Sequence, residues 1–186
     1  MRLGRGLRRP GARAEDVLRR DGHGKASGVL QPMSTRIIER FDLGDLVAMA
    51  QCMAIDADAF PYASAHFGLK AASARVWVAR AGQEPRVVGF LAGRVRRGAM
   101  HVEGVAVEQS ARRRGTGRAL VQAAVEYARG VRLHSVGLHV SLSNAGAIAL
   151  YESEGFVGTA TLRDFYPPAA FGGEGDALEM KLRLDD

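Results

Sequence analysis

A basic, glycine-rich turn between an apolar run and an amphipathic segment carries the strongest chemical signal in the sequence. The turn and the residue after it read Arg112-Arg113-Arg114-Gly115-Thr116-Gly117-Arg118. Glycine lets the backbone approach a ligand closely, and the free amides and dipole at the start of a helix attract anions. Arginine adds charge and bidentate phosphate recognition. The turn therefore predicts a pyrophosphate cradle, with a solvated arginine-rich turn as the alternative interpretation.

The distribution of charge limits the classes of partner. The chain has 186 residues and a net charge of +6. Residues 1–33 carry eight basic and three acidic side chains, whereas residues 34–186 carry 18 basic and 17 acidic ones. Because the basic excess lies in a leading segment rich in arginine and glycine, we predict a disordered leader over 1–33 and one domain over 34–186. A domain so close to neutrality makes nucleic acid an unexpected partner.

Cysteine, histidine and hydropathy patterns exclude other classes of site. Cys52 is the single cysteine of the chain, so no intrachain disulfide forms, and we expect it to be a small buried hydrophobe on a helix. The histidines lack the spacing of metal ligands, which predicts no metal site. No apolar run reaches the roughly 20 residues of a membrane span. We therefore predict a cytoplasmic protein without a membrane partner, either a monomer or a homodimer.

Hydrophobic periodicity predicts the strands that surround the turn. They are expected over Arg36–Phe41, Val76–Ala81, Val87–Arg94, Met100–Val107, Val136–Val140, Phe156–Asp164 and Ala177–Leu184. The alternation of strand and helix from Met100 onward predicts a mixed sheet with helices on both faces.

Three helices are predicted from spacings of three and four residues. The first is capped by Asp42 and presents one face made of Leu46, Met49, Ala50 and Met53. The second spans Gly117–Gly130 and buries a stripe made of Leu120, Val121, Ala124, Val125 and Ala128. The third spans Asn144–Glu154 and places on one face Asn144, Ala147 and Tyr151.

Two segments together resemble the acetyl-coenzyme A motifs of the GNAT acetyltransferase superfamily. One is the Arg-x-x-Gly-x-Gly pattern at Arg112, and the other spans residues 143–156, with its asparagine, its Leu-Tyr pair and its Gly-Phe in register. The resemblance implies the acyl-CoA N-acyltransferase fold of the α/β class, with a central mixed, mostly antiparallel sheet and helices on both faces. In that fold the fourth and fifth strands splay apart, and the pantetheine arm lies in the gap.

The resemblance also implies which residues hold the cosubstrate acetyl-CoA. They are Val105, Ala106 and Val107 on the fourth strand, then Arg112, Arg113, Arg114, Gly115, Thr116, Gly117 and Arg118 in the cradle, and Asn144, Ala147 and Tyr151 on the later helix.

Amine acetylation requires a base, an oxyanion donor and a proton donor for the leaving thiolate. Glu103 and His139 are the candidate bases, acting through water, and neither is preferred over the other. A backbone amide near Val105 is the candidate oxyanion donor, and Tyr151 is the candidate acid. The alternatives are a glutamate on a wet strand face, a satisfied core histidine and a tyrosine that only packs.

Aromatic segments point to the acceptor. Ala59-Phe60-Pro61-Tyr62 and residues 163–167, Arg-Asp-Phe-Tyr-Pro, resemble loops of the bacterial ribosomal-protein alanine N-acetyltransferase (RimI) type. The resemblance implies that a peptide cleft is formed by Phe60, Tyr62, Phe165 and Tyr166. Hydrophobic capping of the sheet edge is the alternative role of these aromatic residues. The RimI type carries glutamate where this chain has His139, which leaves the acceptor open.

The predicted function is therefore transfer of the acetyl group of acetyl-CoA to a primary amine, foremost a protein or peptide N-terminus. Two alternatives remain at this point. One is acetylation of a small-molecule amine such as an antibiotic, a polyamine or an amino acid. The other is a noncatalytic acyl-CoA-binding relative that keeps only the fold.

Overall fold

The computed structural model describes residues 36–60, 67–82, 85–167 and 175–184. Seven strands lie within these ranges: β1 Ile37–Arg40, β2 Arg75–Ala81, β3 Arg86–Arg96, β4 Ala99–Val107, β5 Ser135–Ser141, β6 Val157–Leu162 and β7 Ala177–Arg183. Four α-helices lie between them: α1 Leu46–Ala59, α2 Phe67–Ser73, α3 Thr116–Gly130 and α4 Ala145–Ser153. The predicted leader over residues 1–33 and the predicted cleft residue Tyr62 lie outside the described residues.

The strands form one sheet in the order β1-β2-β3-β4-β5-β7-β6. All neighbouring pairs are antiparallel except β4 and β5, which are parallel. This arrangement confirms the prediction of a mixed, mostly antiparallel sheet. Residues 99–102 of β4 pair with residues 135–138 of β5, and the pairing stops there. The two strands therefore separate beyond Val102 and Leu138, as the GNAT resemblance implied.

Helices cover both faces of the sheet, which confirms the predicted layering. Along β2, Val76 and Val78 pack into a core with α1 and α2, whereas Trp77 and Ala79 pack into a second core with α3. This alternation is the period-2 pattern of a strand that is buried on both sides. Among the described residues, no helix combines the length and apolarity that crossing a membrane requires.

Helix α3 follows its predicted pattern closely. The predicted stripe is buried in full: Leu120, Val121, Ala124, Val125 and Ala128. The helix begins at Thr116, directly after Gly115, whose φ of 77° lies in the left-handed region that favours glycine. The apolar stripe thus fixes the helix on the sheet and directs its N-terminus toward the edge of β4.

Two predictions for helix α1, its cap and its buried face, are wrong. Asp42 does not cap it, because Asp42 Oδ1 accepts a hydrogen bond from Gly44 N at 2.8 Å in a preceding turn. The cap is Asp45, whose side chain accepts from the Ala48 amide. The predicted face is also wrong, since Leu46 is 77% exposed and the buried residues are Ala48, Cys52, Ile55 and Asp56. Residues of α1 are apolar on most of its circumference, so spacing alone did not identify the buried face.

Cys52 is fully buried on α1, as expected, and this burial predicts alkaline sensitivity. Burial raises the pKa of the Cys52 thiol from 9.0 to about 12. Above pH 9 the unfolded chain releases this proton and the folded protein keeps it. The free energy of unfolding therefore falls as pH rises from 9 toward 12, by at most about 1.4 kcal/mol per pH unit from this group. We expect Cys52→Ala to lose less stability than the parent in denaturant titrations between about pH 8 and about pH 11. Parallel losses in the two proteins would contradict this assignment.

Candidate active site

The separation of β4 and β5 opens a cavity of about 430 Å³. Its wall combines both strands, α4, the end of α1 and the segment after β6. The lining residues are Phe60, Val102, Glu103, Gly104, Val105, Leu138, His139, Val140, Ser141, Asn144, Ala147, Tyr151, Tyr166 and Pro167. The three residues predicted to share one face of α4 all belong to this lining. The gap therefore brings together all three predicted catalytic side chains, which lie on three different elements.

A second cavity, of about 560 Å³, lies over the basic turn. It is lined by Val107, Arg112, Arg113, Gly115, Thr116, Gly117, Arg118, Gly146, Ala147, Ala149, Leu150 and Ser153. Ala147 lines both cavities, so they meet at the first turn of α4. The two sites that the sequence predicted separately are thus neighbouring parts of one surface.

The backbone of the basic turn has the shape that an anion cradle requires. Arg113 and Gly115 adopt left-handed φ angles of 58° and 77°, and the buried Thr116 hydroxyl donates to the Ala111 carbonyl at 3.1 Å. Arg36, just before β1, donates a hydrogen bond to the Arg114 carbonyl. The first amides of α3 have no acceptor within the helix, so they face the second cavity as donors.

The four arginines of the turn have different surroundings. Arg112 Nε donates to the Val107 carbonyl at 2.8 Å, and Arg118 pairs with Glu154 at 2.9 Å. These two side chains connect the turn to β4 and to the end of α4. Arg113 and Arg114 are exposed, and within the described part of the chain neither forms an ion pair. Arg113 lines the second cavity, whereas Arg114, which was also predicted to hold the cosubstrate, lines neither cavity.

Two amides of β4 point into the gap. Glu108 N donates to the Val88 carbonyl of β3 at 2.9 Å, and donors alternate sides along an antiparallel strand. The amides of Val105 and Val107 therefore point away from β3, toward the space that β5 has left. Ala106 was predicted with them, but its side chain is buried in the core under α1 and it lines neither cavity.

Glu103 is held by an arginine on the neighbouring strand. The pairing of β3 with β4 contains a bulge, because Gly93 pairs with Val102 and Ala92 pairs with Gly104. Glu103 is therefore the extra residue of β4. Arg94 Nε lies 3.2 Å from Glu103 Oε1, and Arg94 Nη2 lies 3.3 Å from Oε2. Both carboxylate oxygens are therefore directed at one guanidinium.

His139 lies on β5 between two other rings. The centroid of the His101 ring lies 4.8 Å from the centroid of the His139 ring. The centroid of the Phe165 ring lies 4.6 Å from it. The side chain is 23% exposed, and Nε2 lies 3.9 Å from Glu179 Oε1. His139 is thus oriented by packing, and it lines the first cavity together with its strand neighbours Leu138 and Val140, which are more deeply buried.

Tyr151 lines the same cavity although it is only 7% exposed. Burial, with a smaller contribution from Tyr166, raises the pKa of Tyr151 to about 12. Burial also raises the pKa of Tyr166. Both hydroxyls therefore keep their protons throughout the neutral range and can act there as hydrogen-bond donors.

The aromatic residues predicted to form the acceptor cleft are partly placed by the structure. Phe60 and Tyr166 line the first cavity, and Phe165 packs on both His139 and Tyr166. The segment that carries Phe165 and Tyr166 is held by a hydrogen bond from the Tyr166 amide to the Gly175 carbonyl at 2.7 Å. Within the described residues, no three potential metal-ligating side chains are grouped, and the predicted absence of a metal stays a prediction.

Sequence reasoning missed the charged neighbours of the candidate bases. Glu179 lies 40 residues from His139 along the chain, and Arg94 lies nine residues from Glu103 on the preceding strand; in both pairs the strand register places the two side chains together. His101 had a local signal, because it alternates with Glu103 along a predicted strand. That alternation predicts a shared face but not a contact with His139 on the next strand.

Comparisons with known proteins agree with this geometry. The family model described as Acetyltransferase (GNAT) family matches residues 36–156. The [ribosomal protein bS18]-alanine N-acetyltransferases of Salmonella typhimurium and Escherichia coli K12 are 42% and 41% identical to the chain over 80 residues. These matches cover 43% of the chain and 53% of each relative, so the chain spans about half the length of the curated relatives it matches.

Solved structures match over more of the chain. The ribosomal-protein-S18-alanine N-acetyltransferase of Escherichia coli aligns with a TM-score of 0.69 at 27% identity, covering 82% of this chain and 96% of that one. A ribosomal-protein-alanine N-acetyltransferase from Brucella melitensis aligns with a TM-score of 0.64 at 28% identity, covering 80% and 99%. The family model spans the separated strands, the basic turn and helix α4, and the chain belongs to the acetyltransferase (GNAT) family.

Proposed function

We propose that this protein is an acetyl-CoA-dependent N-acetyltransferase that acts on the N-terminal α-amine of a protein or peptide. The observation that carries the proposal is the meeting of two cavities at Ala147, one over the basic turn and one between the separated strands. Such a surface accommodates a ligand with an anionic end and a reactive end. The relatives named as ribosomal protein bS18-alanine N-acetyltransferases support that ribosomal protein as the first acceptor to test.

The residues present fit acetyl-CoA. Its pyrophosphate would be held by the first amides of α3 together with Arg113, because unpaired amides and guanidinium groups are the usual phosphate donors in proteins. The gap amides of Val105 and Val107 would hold the acyl end. When bound, acetyl-CoA supplies the acetyl group and a thiol leaving group.

His139 is the better placed of the two candidate bases. Both carboxylate oxygens of Glu103 are directed at Arg94, so Glu103 has little freedom to receive a proton from an incoming amine. His139 lines the cavity, and the carboxylate of Glu179 lies 3.9 Å from its Nε2. An N-terminal amine has a pKa of about 8, so near neutral pH it must lose a proton to react, and His139 is proposed to accept it.

The other residues of the site have supporting roles in this proposal. The hydroxyl of Tyr151 stays protonated inside the cavity. It donates a hydrogen bond to the atom on which negative charge develops during the reaction. Phe60 and Tyr166 line the cavity and would contact the acceptor, and Phe165 supports the rings of His139 and Tyr166. Glu103 and Arg94 together form a fixed polar wall on the β4 side.

A comparison of acceptors tests the function. The purified protein is incubated with acetyl-CoA and a peptide copied from the N-terminus of ribosomal protein bS18, with free lysine, polyamines and aminoglycosides as small-amine acceptors. We expect kcat/KM for the peptide to exceed that for each small amine by at least about tenfold, because remote binding energy favours the larger acceptor. Mass spectrometry should locate the new acetyl group on the terminal nitrogen.

The same peptide with a blocked terminus is the matched control and should not react. Turnover confined to a small amine would make the protein a small-molecule acetyltransferase instead. Binding of acetyl-CoA without transfer to any amine would support a noncatalytic relative.

A further inference from the structure

A carboxylate faces His139 from the strand beside it. β5 and β7 are antiparallel, and His139 is paired directly with Glu179. Directly opposed residues in such a pair have adjacent side chains on one face of the sheet. Glu179 Oε1 lies 3.9 Å from His139 Nε2, which is an ion-pair distance when the ring is protonated and too long for a hydrogen bond.

The side chain of Glu179 is hydrogen-bonded by a residue of the neighbouring strand β6. Between β6 and β7, Gly158 pairs with Met180 and Ala160 with Glu179, so Thr159 is the extra residue of a bulge. A bulge redirects a side chain that would otherwise follow the pleat. Here the Thr159 hydroxyl lies 2.9 Å from Glu179 Oε2 and 3.2 Å from the Glu179 carbonyl oxygen, and the carboxylate is the nearer acceptor. One carboxylate oxygen is therefore occupied by Thr159, and the other is left facing His139.

Two neighbouring rings pack against the ring of His139, at interplanar angles of 55° and 56°. His101 contacts it from β4 and Phe165 contacts it from the segment after β6. Burial, and then the proximity of His139, lower the pKa of His101. His101 therefore stays neutral more readily than an exposed histidine and competes less with His139 for a proton. The other titratable groups that share the cavity with His139 are Glu103, Tyr151 and Tyr166.

We propose that Glu179, fixed by Thr159, is a positioning residue that orients His139 and stabilises the imidazolium formed when His139 accepts the acceptor amine's proton. This inference rests on the proposed function. With a proton on Nε2 facing the carboxylate, Nδ1 keeps its lone pair, which is the state that a base needs. As the acceptor amine reacts, its N–H bond breaks and an N–H bond forms at Nδ1, so the ring becomes positive. The carboxylate of Glu179 balances that charge, as an acidic partner does for a catalytic histidine elsewhere.

The test compares Glu179→Gln with the parent protein, using the bS18 peptide and acetyl-CoA. Glutamine keeps the shape and the contact with Thr159 but removes the charge. We expect kcat to fall by about tenfold or more, at the lower end of acid–base contributions, with KM for acetyl-CoA unchanged.

Three further variants separate positioning from general damage. Glu126→Gln removes the same charge from an exposed site on α3 and should behave like the parent. Thr159→Val should lower kcat in the same direction as Glu179→Gln but by less. In a His139→Gln background, Glu179→Gln should have little additional effect, since residues that act as a unit are not additive.

Failure of the inference and failure of the proposed function are distinguishable. An active parent whose Glu179→Gln variant matches the Glu126→Gln control in kcat overturns the positioning role of Glu179. A parent that transfers acetyl to no amine overturns the proposed function.

Discussion

Replacing Tyr151 by phenylalanine is expected to lower kcat for acetyl transfer by about 10²-fold, the usual lower range for a group that assists proton transfer. The ring should stay in place, because Tyr151 is 7% exposed and packs against Phe156 at a centroid distance of 5.7 Å. Only the hydroxyl is lost. The affinity for acetyl-CoA, measured by calorimetry, should change little, since the cradle is left intact.

The raised pKa of Tyr151 determines whether its hydroxyl can transfer a proton or only donate a hydrogen bond. At about 12, this pKa keeps the hydroxyl protonated throughout the neutral range. A thiol has an ordinary pKa of about 8.5, so complete transfer from Tyr151 to a thiolate is uphill by roughly three to four units. We therefore expect Tyr151 to act mainly as a hydrogen-bond donor to developing charge, and kcat should show no limb from its ionisation near neutral pH.

Tyr127→Phe is a matched control for this prediction. Tyr127 lies on α3, packs on Trp77 at 5.5 Å between centroids, and lines neither cavity. Its variant should retain parental kcat. Full turnover in Tyr151→Phe would show instead that Tyr151 only packs, and equal losses in the two variants would point to a general effect on folding.

The sheet and its two helical layers could be predicted because their signals are local and periodic. The buried stripe of α3 repeats at helical spacing, and the strands alternate or run apolar over five or more residues. The buried face of α1 could not be predicted, because the helix is apolar nearly all round and its cap depends on a turn at Asp42. Periodicity identifies a face only where polar residues mark the opposite one.

The candidate site was predictable to the extent that its parts are contiguous in sequence. The cradle and the cavity-lining face of α4 each lie within a few consecutive turns, so motif and spacing place them. The Arg94–Glu103 and Glu179–His139 pairs depend on register and on a bulge near Glu103. A shift of one residue moves every side chain of a strand to the other face, and no local pattern determines which register forms.

A second large effect is expected for Gly117→Asp, which should weaken acetyl-CoA binding by about 10²-fold. Gly117 lies in the first turn of α3 and lines the cradle cavity. An added carboxylate would compete for the same amides and repel the pyrophosphate. Two charges about 4 Å apart near a protein surface interact by up to about 4 kcal/mol, and about 2.7 kcal/mol corresponds to a hundredfold change in Kd. Gly115→Asp should act in the same direction.

Stability separates this effect from unfolding. A Cβ at Gly117 would lie 3.4 Å from Leu150 Cδ2, an ordinary contact with a flexible side chain. A negative charge in the first turn of a helix is also favourable for the helix. We therefore expect the melting temperature of Gly117→Asp to equal or exceed that of the isosteric Gly117→Asn, while its Kd for acetyl-CoA is clearly higher.

Gly130→Asp provides the positional control for the added charge. Gly130 ends the same helix, and a Cβ added there would meet nothing within 4 Å. Its variant should bind acetyl-CoA with parental affinity in calorimetric titrations, because the charge lies at the far end of α3. If Gly117→Asp and Gly117→Asn bind equally well, charge at the helix N-terminus does not govern binding and the basic turn is not the phosphate cradle. Equal weakening in Gly130→Asp would attribute the effect to net charge and not to position.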